Sequence, residues 1–60
     1  MAVYEAKLTQ ENGICYSRKF DDYNAMCRWI AREPAAGMMA WEDSEPMDQA
    51  QIQTDVAMYQ

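Results

Sequence analysis

The sequence predicts a small α+β domain in which one helix crosses an antiparallel sheet. Three observations predict it. Two segments of period-two alternation flank an Asn-Gly pair, a stripe of helical period opens on two aspartates and closes on a proline, and a short apolar run follows the next turn.

The first strand spans Val3 to Leu8, with Tyr4, Ala6 and Leu8 on one side and Val3, Glu5 and Lys7 on the other. The second spans Ile14 to Phe20, with Ile14, Tyr16 and Phe20 against Cys15, Ser17 and Lys19. A two-residue Asn12-Gly13 turn would pair Leu8 with Ser17 and set the two apolar rows on opposite faces, and such a slip is costly. A three-residue loop, Glu11-Asn12-Gly13, puts Leu8 opposite Tyr16, Ala6 opposite Arg18 and Tyr4 opposite Phe20. It also sets Glu5 against Lys19, a favourable cross-strand pair. Gly13 then takes the left-handed position that ends such a loop.

Asp21 and Asp22 offer an N-cap to the helix. Tyr23, Met26, Cys27 and Ile30 recur at i, i+3, i+4 and i+7 and form its buried stripe. Pro34 disfavours helical backbone at Glu33, so the helix ends near Arg32. Arg28 and Arg32 fall in the last turns, where cations suit the helix dipole. Pro34 to Gly37 reads as a turn.

Met38 to Glu42 reads as a third strand with apolar groups on both sides, and Asp43 to Gln49 as an acidic loop. In the last segment Ile52, Thr54, Val56 and Met58 alternate with Gln51, Gln53, Asp55 and Ala57. The β-branched residues on the first set favour a strand, which completes the order ββαββ. Ile52, Val56 and Tyr59 also fit i, i+4 and i+7, so the alternative is a helix and the order ββαβα.

Sixty residues make a single domain with little core to spare. Half of them are hydrophobic, which argues against disorder. The opening residues are too charged for a secretory leader, and no apolar run has the length of a membrane span. A soluble, cytoplasmic protein with no membrane partner is therefore expected, with Cys15 and Cys27 as reduced thiols on different sides of the sheet.

Histidine, the commonest acid–base catalyst, is absent. The neighbouring acids Asp21-Asp22 and Glu42-Asp43 read as caps and loops, Cys27 as core and Cys15 as a surface thiol. No catalytic residue and no enzyme activity are expected. Two thiols without histidine do not make the usual zinc sets. The acids after residue 41 lack the spacing and glycine of an EF-hand, and Gly13 and Gly37 make no phosphate loop. No metal or cofactor is expected.

Charge is distributed unevenly. Residues 1–33 hold all five bases and five acids, whereas residues 34–60 hold Glu42, Asp43, Glu45, Asp48 and Asp55 and no base. The whole net charge of −5 lies in the second part. A solvated acidic loop is the plain reading of that cluster, and an interaction surface is the functional one. Trp29 lies off the helical stripe, and Trp41 with the pair Met38 and Met39 crowds one strand, so both of its faces carry apolar groups; tryptophan and methionine are enriched at interfaces.

The expected function is a small acidic regulator or inhibitor that binds a larger protein with a basic surface. Its contacts would be Trp29, Met38, Trp41, Glu42, Asp43, Glu45 and Asp48. In size and charge the chain resembles accessory proteins of bacteriophages and other mobile elements, an analogy of composition alone. The alternative is a nucleic-acid-binding module using Arg18, Lys19, Arg28 and Arg32 beside Tyr4 and Tyr16, which the net charge opposes. A third reading is a structural self-assembling subunit. A homodimer is also expected, because the third strand has an apolar side left to cover.

Overall fold

The computed structural model describes residues 2–33 and 35–60. The elements are β1 (Tyr4–Thr9), β2 (Cys15–Phe20), α1 (Tyr23–Arg32), β3 (Gly37–Glu42), β4 (Glu45–Pro46) and α2 (Gln49–Ala57). The fold is α+β. Four antiparallel strands form one sheet in the order β2-β1-β3-β4. The order ββαββ is present, and α2 follows it.

The β1–β2 hairpin has the register that matching apolar faces require, with Leu8 opposite Tyr16, Tyr4 opposite Phe20 and Glu5 opposite Lys19. The Gln10 N–H donates to the Ile14 carbonyl at 2.8 Å and the Gly13 N–H to the Gln10 carbonyl at 2.9 Å. Gly13 has φ +88°, the left-handed conformation that favours glycine.

Helix α1 begins where paired aspartates suggest. Asp22 is the N-cap, and its carboxylate accepts from the Ala25 N–H at 3.0 Å. Met26, Cys27 and Ile30 are buried, with Tyr23 half-buried beside them. Of the turn expected over residues 34–37, Pro34 lies outside the described residues and Gly37 instead opens β3.

The last segment corrects the sequence-based expectation. Residues 49–57 form a helix, not a strand, and the fourth strand comes from Glu45–Pro46, inside the expected acidic loop. Asp48 caps α2 by accepting from the Ala50 N–H at 3.0 Å. Ile52 and Val56, four apart, are buried, whereas Thr54 and Met58 of the alternating set are exposed. The Thr54 hydroxyl instead donates to the Ala50 carbonyl one turn back. A cap and four-residue spacing outweigh β-branching here.

The core is Ala6 and Leu8 of β1, Ala40 of β3, Met26, Cys27 and Ile30 of α1, and Ile52 and Val56 of α2. Alternation along a strand sends the odd-numbered residues of β1, β2 and β3 to the other face of the sheet, which no helix among the described residues covers. Tyr23 donates a short hydrogen bond to Asp55 and so ties α1 to α2. Burial first, and that bond second, raise the Tyr23 hydroxyl well above its ordinary pKa.

Candidate interaction surfaces

The acidic residues after residue 41 are gathered by a tight hairpin. Glu42 stands directly opposite Glu45, and Trp41 opposite Pro46. Asp43 and Ser44 connect the strands with φ of 49° and 70°. A two-residue turn of this hand suits the twist of a β-hairpin, but Asn-Gly is its favoured sequence. Left-handed backbone costs an L-residue roughly 1–2 kcal/mol, and like charges directly opposite add to the cost.

The tip is nevertheless tied down. The Val3 N–H donates to Asp43 Oδ1 at 2.8 Å, and the Asp43 N–H donates to the Val3 carbonyl at 2.8 Å. A groove of about 450 Å³ separates the hairpin from the start of α2, and Glu42, Asp43, Glu45 and Asp48 all line it over Met47 and Ile52. The hydroxyl of Tyr4 titrates above its usual range, through loss of water first and then through the fields of Glu42, Asp43 and Asp22.

The other expected contact residues are not on one surface. Trp41 is half-buried on the uncovered face, with Glu5 beside it on β1 and Lys19 beyond on β2. Met38 turns to the opposite face and packs against the core. Its neighbour Met39, paired with it in the sequence reading but not among the expected contacts, is the methionine of the uncovered face, 48% exposed in a row with Lys7 and Ser17. Placing the register from Leu8 across to Met38 would have distinguished the two. Trp29 also belongs to the covered side. Its ring lies 5.5 Å from that of Phe20 and 6.3 Å from that of Tyr16.

A second surface runs along the β2 edge. Arg18, Lys19, Arg28 and Arg32 line a groove of about 870 Å³ floored by Phe20 and Trp29. Asp21 and Glu33 stand on its rim. The Arg18 guanidinium lies 5.2 Å from the centre of the Phe20 ring, within cation–π range. Tyr4 and Tyr16 do not offer the open stacking platform that the nucleic-acid reading needs. Tyr4 packs on Tyr23 with ring centres 5.6 Å apart, and Tyr16 packs on Trp29 and accepts a hydrogen bond from the Gln10 amide at 2.7 Å.

Cys15 is exposed and Cys27 buried, and both thiols are free. Burial pushes the Cys27 thiol up, which suits packing and not nucleophilic attack. Among the described residues no three of His, Cys, Asp and Glu stand where they could hold a metal ion, and no helix is long and apolar enough to cross a membrane. No family model, curated protein or solved structure matches this chain.

Proposed function

We propose that this chain is a small protein-binding regulator or inhibitor that docks on a larger protein through the acidic β3–β4 hairpin. The supporting observation is the cost built into that hairpin. Glu42 and Glu45 face each other across the ladder, and Asp43 and Ser44 hold left-handed backbone, yet two hydrogen bonds to Val3 fix the tip in place. Strained backbone clusters at functional sites, which supports reading this exposed tip as a contact surface. Trp41, Pro46 and Met39 supply apolar area on the adjoining face, with the carboxylates as a charged rim. Such a surface complements a basic patch with an apolar centre.

Glu45→Lys tests the reading with two readouts of opposite sign. It replaces a repulsive cross-strand pair with an attractive one and should raise stability by about 0.2–1 kcal/mol in urea denaturation. Affinity capture from cells of the source organism, with mass spectrometry, should recover a protein with wild-type bait and lose it with Glu45→Lys. A captured set that is unchanged by Glu45→Lys would exclude the hairpin as the docking element.

A further inference from the structure

We propose that the basic groove between β2 and α1 receives the acidic β3–β4 hairpin of a second copy of this chain, so that copies associate head to tail. The inference shares the hairpin with the reading above but requires no foreign partner.

The groove gathers three of the five basic residues of the chain on the helix side of the sheet. Arg18 comes from the edge strand, and Arg28 and Arg32 from successive turns of the helix beside it, whereas Lys19 borders the groove from β2 but alternates to the uncovered face opposite Glu5. All three are exposed. Among the described residues, none of the side-chain hydrogen bonds runs from these cations to a carboxylate. The floor beneath them is aromatic, so an anion with some apolar surface matches it better than a bare ion does.

That description fits the hairpin. It presents Glu42, Asp43, Glu45 and Asp48 without any base, beside Pro46 and Met47. The two surfaces lie on opposite edges of the sheet, since β1 and β3 separate β2 from β4. Glu42 lies two strand spacings from β2, about 10 Å, and Glu45 three, about 14 Å, while Asp43 is held by Val3 at the groove's end, so a molecule's own hairpin does not fill its groove. A second copy meets no such restriction. The contact joins unlike surfaces, so each copy still offers one free groove and one free hairpin. Such a contact closes into a ring or extends as a chain, and does not stop at a two-fold pair.

This contact is an alternative to the homodimer expected through the outer face of β3. That face sets Met39 and Trp41 among Lys7, Glu5 and Lys19, whereas the two edges carry opposite charge. A nucleic-acid strand is the rival occupant of the groove. The net charge of −5 opposes a long polyanion more than it opposes one hairpin.

The test uses purified full-length chain and two variants, Arg28→Gln/Arg32→Gln and Glu42→Gln/Glu45→Gln, each checked for native circular dichroism. In sedimentation equilibrium the wild type should grow past two chains as concentration rises. Growth should fade as salt shortens the screening length from about 10 Å at 0.1 M to about 3 Å at 1 M. Each variant alone should remain at one chain, whereas their mixture should give a complex of one copy of each. That pairing also shows that both variants are folded. Wild type that stays at one chain to millimolar concentration overturns the proposal, as does self-association indifferent to both variants. Wild type that binds a short single-stranded oligonucleotide through Arg28 and Arg32 while remaining monomeric overturns it too, and assigns the groove to nucleic acid. Loss of self-association leaves the capture experiment with Glu45→Lys unaffected, so the two readings fail separately.

Discussion

Gly13 and Ser44 occupy the same left-handed region of backbone space at opposite ends of the sheet's connectivity, one with the residue that favours it and one without. An added Cβ at Gly13 meets nothing within 4 Å, so Gly13→Ala bears only the backbone cost. It should lower stability by about 1 kcal/mol. Ser44→Gly should raise it by a similar amount, about 1 kcal/mol, because the turn keeps its shape and sheds the strain. Urea denaturation of both variants checks the pair, and two shifts of the same sign would contradict the turn geometry. Gly13 was legible in the sequence because the facial match on either side demanded one extra loop residue. The Asp43-Ser44 turn was not, because neither residue is a turn signal of the Asn-Gly kind and β4 is too short to show a period.

The helices show how local pattern and tertiary context divide the work. Helix α1 was legible from both ends inward, since a cap, a stripe and a proline agreed. In α2 two patterns coincide on Ile52 and Val56, and only the intervening Thr54 separates them. Val56→Asp should cost several kcal/mol by burying a charge without a partner. Thr54→Asp, on the exposed side, should stay within about 0.5 kcal/mol. Thermal melts of the two distinguish helix from strand directly. The join between α1 and α2 adds a pH signature. Tyr23 keeps its proton in the folded chain above the ordinary value of 10.0, whereas the unfolded chain releases it near there. Below pH 10 its contribution to stability is complete. As pH rises beyond 10 the unfolded state binds fewer protons than the folded one, and stability falls. Tyr23→Phe should be less stable at neutral pH and should show a shallower loss above pH 10. An unchanged slope would place the hydroxyl outside the helix junction.

At the scale of the molecule, sequence order alone showed that acids crowd the second part of the chain. It also showed that Arg18, Lys19, Arg28 and Arg32 could share a patch. It did not show that the two groups lie on opposite edges, because that depends on β3 pairing with β1 and not with β2. The same pairing decides which methionine is covered. Leu8 opposite Met38 sends Met38 toward the core and leaves Met39 outside. Long-range pairing of this kind leaves no periodic mark in a segment that is apolar throughout, such as Met38 to Trp41.

The two cysteines differ in one respect with practical value. Cys15 is exposed on the uncovered sheet face, whereas Cys27 is sealed in the core. The chain therefore carries one accessible thiol, on the strand at the opposite edge of the sheet from β4. A maleimide dye should couple once per native chain and twice in denaturant, as intact mass would report. Donor- and acceptor-labelled populations, mixed after such coupling, would then register copies exchanging neighbours in real time.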